Sequence, residues 1–229
     1  MLKSSKKKAA TRIAVYDFET TQEHELNPGI LEHQVAFVSL RWTCSNCEDK
    51  GLNNACEICT PKSQTFPLNR CKSWSWYTCK DPLEEFVRFV LNEFGPKQET
   101  ILWAHNGGRF DSHFVLQILY RMKLQPKIVM TGLKIYDITV KVYKRSQLHF
   151  RDSYLVLQTP LDSLKKTFAL DVEEKMFFPY LFCSRENMNL NLSNLPSIED
   201  YIPSTMKLEK YTKFMVCDSF DRKFLILFI

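Results

Sequence analysis

Between residues 82 and 168 the spacing of apolar residues switches repeatedly between a helical and a strand period, and this alternation restricts the fold more than any other feature. Leu83, Phe86, Val87, Val90, Leu91 and Phe94 recur at helical spacing after Asp81 and Pro82, and Gly95-Pro96 stops the run. Residues 100–105 read as a buried strand and Asn106-Gly107-Gly108 as a turn. A second helical face then follows, made of Phe114, Val115, Ile118, Leu119 and Met122 after Asp111. Residues 127–130, 134–143 and 147–152 read as strands, and 160–168 as a third helix. Upstream, 13–16 and 34–42 are β-prone. Strands interleaved with helices predict an α/β class with a mixed sheet flanked by helices.

Composition narrows the class further. A chain of 229 residues that is 45% hydrophobic and 13% aromatic can bury a sizeable core, which excludes global disorder. Its longest apolar run, 224–229, is six residues and cannot span a bilayer, so no membrane partner is expected. The Lys/Ser-rich start, with no apolar segment behind it, is not a secretory signal and implies an intracellular protein. Residues 1–12 read as a basic, disordered arm, which favours the nucleus and leaves an organelle open. A net charge of +5 permits a nucleic-acid partner without demanding one.

From 43 to about 80 the periodicity fails, and cysteines appear instead. Cys44-x2-Cys47 and Cys56-x2-Cys59 stand eight residues apart, the spacing of two knuckles that close a tetrahedral Cys₄ zinc site. Four thiolates leave no open position, so such a Zn²⁺ is structural, ordering an insertion with little core of its own. Redox dithiols and plain cysteines are the other readings of these pairs. Cys79 reads as a small buried hydrophobe, and Cys71 as an alternative ligand.

Two motifs carry carboxylates. Asp17-Phe18-Glu19-Thr20 directly follows the first strand, and in extended chain residues two apart share a face, so Asp17 and Glu19 project together and Phe18 projects oppositely. Paired hard oxygen ligands suit Mg²⁺ or Mn²⁺, although the same pair also reads as a solvated strand end. Asn106-Gly107-Gly108-Arg109-Phe110-Asp111 joins a buried strand to a helix, with Asp111 either a ligand beside the helix N-terminus or an ordinary N-cap. Asp152 at a strand end reads as structural or catalytic, and His105 as a satisfied strand-end histidine.

Together these motifs resemble the first two exonuclease motifs of family B DNA polymerases, in the protein-primed branch of phages, linear plasmids and self-synthesising transposons. Phe150-Arg151-Asp152-Ser153 with Leu161-Asp162-Ser163-Leu164-Lys165-Lys166 and Phe168 resembles a further segment of that branch. So do Lys175 through Phe182 and the Tyr201, Pro203, Met206 stretch. Tyr154 stands where the branch usually has Leu, and Phe214 with Asp218 has the spacing of a third motif without its Tyr. The resemblance implies a ribonuclease-H-like 3′–5′ proofreading domain over 13–182, with the zinc insertion at about 43–80 and an incomplete extension over 183–229. It implies a DNA polymerase gene product truncated before the third motif and the polymerase domain. Asp17, Glu19 and Asp111 would hold two Mg²⁺ or Mn²⁺ ions, and Lys175 would approach the scissile phosphate. Thr20, Asn106, Phe110 and Ser153 would hold single-stranded DNA at a primer 3′ end, and a terminal priming protein is an implied partner. A non-catalytic module that binds single-stranded nucleic acid, with a structural zinc, is the alternative.

Overall fold

The computed structural model describes residues 11–45, 47, 73–76, 81–94, 99–143, 146–171, 177–182, 184, 186–187 and 196–216. The first ten residues of the basic arm, Lys175, Asp218 and most of the cysteine insertion, Cys56, Cys59, Cys71 and Cys79 included, lie outside them.

Seven strands form one sheet in the order β3-β2-β1-β4-β7-β6-β5. They are β1 (Arg12–Asn27), β2 (Ile30–Cys44), β3 (Ser73–Trp76), β4 (Thr100–Ala104), β5 (Lys127–Thr131), β6 (Lys134–Tyr143) and β7 (Ser146–Asp152). At its centre β4 runs parallel to β1, with Ala14 opposite Leu102, and parallel to β7, with Ala104 opposite Asp152. Parallel neighbours need long crossovers, which here contain α1 (Pro82–Phe89) and α2 (Asp111–Arg121). β5, β6 and β7 pair antiparallel, so the sheet is mixed, as the sequence predicts. Two further helices are α3 (Leu161–Thr167) and α4 (Leu208–Val216), and among the described residues no helix is long and apolar enough to cross a membrane.

α1 starts on Pro82, where a missing N–H costs nothing, and carries Glu84 and Glu85 in its first turn. Arg88 returns to Glu84 at 2.6 Å, one helical turn back. Beyond Phe89 the helical run predicted to Phe94 continues as a single π turn, Val90–Phe94. That turn sets Phe94 against Trp42 at 5.5 Å and under the Arg12 guanidinium at 4.5 Å.

The residues fall into two units. The first comprises Met1–Asp17, Val38–Trp76 and Leu83–Gln158. Its core stacks Tyr16 on Phe86 of α1 at 5.3 Å and edge-on to Phe150 of β7 at 6.0 Å, with Leu102, Ile138 and Leu148 buried alongside. The second unit holds the outer part of the β1–β2 hairpin and Thr159–Ile229. Its core is Phe177, Tyr201 and Phe214, with Ile198 and Met206 packed against them. Phe214, the residue at the third-motif spacing, is thus a fully buried core ring.

The hairpin corrects the sequence reading, which ends the first strand at Tyr16 and starts the second at Gln34. Gln22–Asn27 are exposed on both faces, so no apolar alternation marks them. Polar cross-strand pairs do the holding instead: Thr20 Oγ1 to His33 Nδ1 at 2.9 Å, and His24 to Glu32 at 3.2 Å.

Phe150 has no exposed surface and touches Tyr16, so Phe150→Ala should destabilise the first unit by about 3–5 kcal/mol in a denaturant titration. A loss of under about 1 kcal/mol would place the core elsewhere.

Candidate functional site

The turn after β4 is built by close approach. Asn106 takes a left-handed backbone at φ 59°, and Gly107-Gly108-Arg109 form one 3₁₀ turn. A Cβ at Gly107 would collide with that of Ala104 and lie 3.4 Å from Asp111 Oδ2. A Cβ at Gly108 would collide with the Ile135 carbonyl and lie 2.9 Å from Asp152 Oδ2. Only glycine permits that proximity.

α2 then begins at Asp111 itself. Phe110 is its N-cap and makes no side-chain capping bond, so the N-cap alternative for Asp111 does not hold. Asp111 is buried at 6% exposure in the first helical turn, where the helix dipole favours a carboxylate.

Along β1 the expected alternation holds: Asp17 is exposed, Phe18 is buried and Glu19 is half-buried. Next to Asp17, the Tyr16 phenol is raised well above its usual pKa, first by burial, then by the charge of Asp111, and further by Asp152 and Asp17. A hydrogen bond with Ser112 acts the other way. Three carboxylates thus act on one buried hydroxyl. Among the described residues, however, no three His, Cys, Asp or Glu side chains are close enough together to hold a metal ion.

Phe110 is 36% exposed and packs edge-on against Phe114 at 4.9 Å. Ser153, directly after β7, bonds His105 Nδ1 through its Oγ at 3.0 Å. The other ring nitrogen of His105 is buried with no hydrogen-bond partner among the described residues, so this histidine is satisfied only on one side. The first unit therefore places Asn106, Phe110 and Asp111 beyond the end of β4, Ser153 beyond the end of β7, and Asp17 on β1 just past its parallel ladder with β4. Glu19 and Thr20 belong to the second unit, and Lys175 lies outside the described residues.

Two residues that sequence patterning passed over or left open stand beside this turn. Asp152 is fully buried, its Oδ1 accepts from Tyr154 N–H at 2.9 Å, and Lys134 Nζ lies 3.2 Å from its Oδ2. Nothing in the alternation of β6 singles out Lys134, whose significance comes from a partner 18 residues away in sequence. In the insertion, Cys44 and Cys47 are both buried and Cys47 N–H donates to the Cys44 carbonyl at 2.9 Å, a tight turn between the two thiols.

Burial raises the Tyr16 pKa, so its neutral form contributes stability that is complete below the ordinary value of 10.0 and is lost as pH rises through the folded value. Tyr16→Phe should therefore flatten the fall in unfolding free energy above pH 10. Denaturant titrations from neutral to alkaline pH read this, and unchanged slopes would show that Tyr16 is not the group responsible.

Residues 91–221 match the family described as DNA polymerase type B, organellar and viral. A "Probable DNA polymerase" of Neurospora intermedia is 33% identical over 94 residues, which are 39% of this chain and 10% of that protein. Phi29 DNA polymerase complexed with single-stranded DNA superposes at a TM-score of 0.50 and 17% identity, over 83% of this chain and 28% of its own. The post-translocation binary complex of the same polymerase with primer-template DNA gives 0.50 and 18%, over 84% and 28%. At these identities the structural likeness is one of fold. The chain spans well under a third of the length of these relatives.

Proposed function

The chain belongs to the type B DNA polymerases of the organellar and viral family, and from that premise we propose that it carries the 3′–5′ exonuclease region of a protein-primed polymerase, acting on single-stranded DNA ends. One observation supports this most. β4 runs parallel to both β1 and β7; its ladder with β1 stops at Val15, just before Asp17, while β4 and β7 end at Ala104 and Asp152, just before Asn106 to Asp111 and Ser153. The carboxyl ends of parallel strands are where open α/β sheets bind ligands.

The donor set is chemically apt for a hard divalent ion. Mg²⁺ or Mn²⁺ on Asp17, Glu19 and Asp111 would supply activation of water and stabilisation of the leaving 3′ oxygen. The chain's own contribution is to hold the strand. The partly exposed ring of Phe110 offers a stacking surface for a terminal base. Asn106, Thr20 and Ser153 offer hydrogen bonds to sugar and phosphate without reading sequence. Lys175 is the cation assigned to the scissile phosphate. A priming protein at the DNA terminus is the partner this reading brings with it. The second reading, a binding module without catalysis, is favoured by the lack of three gathered metal-binding side chains among the described residues.

Digestion of a 5′-labelled single-stranded oligonucleotide with Mn²⁺ separates the two. A 3′–5′ ladder lost in both Asp17→Ala and Asp111→Ala supports the nuclease; tight binding without a ladder supports the module. On either reading Phe110→Ala should weaken single-strand binding by about 1–3 kcal/mol, as for one lost stacked base. Equal affinity for duplex and single strand would sink both.

For the insertion we assign a structural Zn²⁺ to Cys44, Cys47, Cys56 and Cys59, supported by their spacing and by the tight turn between the first two. Purified protein should contain about one zinc per chain by mass spectrometry, and Cys47→Ser should lower it. Folded protein without zinc would refute the assignment.

A further inference from the structure

A buried ion pair sits where three separate segments of the first unit meet. Asp152 has no exposed surface, and Lys134, at the start of β6, is one-fifth exposed and 3.2 Å from it. The same carboxylate holds the turn after β7 through Tyr154 N–H at 2.9 Å. It also flanks the turn after β4, since a Cβ on Gly108 would lie 2.9 Å from its Oδ2. Ile135, the neighbour of Lys134, presses its carbonyl against Gly108. The Lys134 ammonium further lies 5.2 Å from the centre of the Tyr154 ring and 5.8 Å from that of Tyr136. One residue before Lys134, the Leu133 carbonyl accepts from His113 of α2 at 2.9 Å. The strand start that carries the lysine is thereby anchored to the helix that carries Asp111.

Burying two charges is costly, and apolar residues of similar volume often serve stability as well or better. In some proteins what a buried polar group supplies instead is a fixed geometry. Here that geometry relates the turn bearing Asn106, Phe110 and Asp111 to the turn bearing Ser153. We propose that Lys134 and Asp152 are positioning residues that set the separation of these two turns, and so the spacing of the grips on a single strand. The statement about the grips rests on the function proposed above; the statement about the turns does not.

The test uses the full chain and three variants: Lys134→Met, Lys134→Arg, and Lys134→Met with Asp152→Asn. The asparagine keeps an acceptor for Tyr154 N–H while removing the unpaired charge. Affinity for fluorescein-labelled oligo(dT) with nuclease-resistant phosphorothioate linkages is measured without added Mg²⁺ or Mn²⁺ and without chelator, alongside melting temperature and amide hydrogen exchange. Lys134→Met should weaken oligo(dT) binding about tenfold, the size of one displaced stacking contact, and should speed exchange at 105–111 and 153–157 together. Lys134→Arg should restore both. The double variant should regain melting temperature without regaining affinity, which a merely structural role would not produce. Affinity that recovers along with melting temperature, or faster exchange confined to β6, overturns the proposal. If the unaltered chain binds no oligo(dT), the proposed function falls, and the exchange comparison alone still decides whether the pair positions the turns.

Discussion

The parallel hydrogen-bonded ladder of β1, β4 and β7 is the constraint on which the rest depends. Parallel pairing runs three strands the same way, so β4, β7 and the paired part of β1, far apart in sequence, finish at one edge. It also forces long crossovers, which supply α1, whose Phe86 packs on Tyr16, and α2, whose Val115, Ile118 and Leu119 are buried. An antiparallel arrangement of the same strands would alternate their ends and scatter Asp17, Asp111 and Ser153.

The cost of this convergence is electrostatic. Asp111 and Asp152 are both buried, and with Asp17 they disfavour ionisation of the Tyr16 phenol. Like charges in a low-dielectric site raise one another's energy unless a cation intervenes. Lys134 is such a cation for Asp152, and the dipole of α2 acts in the same sense on Asp111. The proposed divalent ion would complete the compensation.

The sequence disclosed those parts of the fold whose burial repeats at a fixed period. α2, β4, β6 and β7 lie within about a residue of their predicted bounds: α2 shows a helical apolar period, and β4 and β7, with no exposed residue, are short buried runs bounded by turn residues. The pairing of Asp17 with Glu19 on one side of a strand was legible for the same reason. The outer β1–β2 hairpin was not, since hydrophobic alternation cannot mark residues that bury neither face. Lys134 escaped because its partner is non-local, and Asp152 was ambiguous because a strand-end carboxylate looks alike whether capped or catalytic. The role of Phe214 as a core ring also lay beyond the local pattern, because Phe177 and Tyr201, which surround it, are distant in sequence.

The hairpin has one more consequence, for how its own alignment is chosen. A strand pair with a buried face is locked in register, because slipping by one residue would turn its apolar side chains into water. From Gln22 to Asn27 there is no such face to protect. Alignment there falls to a few discrete pins: the left-handed backbone of Gly29 at φ 78°, the 2.7 Å bond from its N–H to Glu25, and His33 bridging Thr20 and Gln22. With the His24–Glu32 pair, those pins carry the information that a hydrophobic stripe carries elsewhere in the sheet.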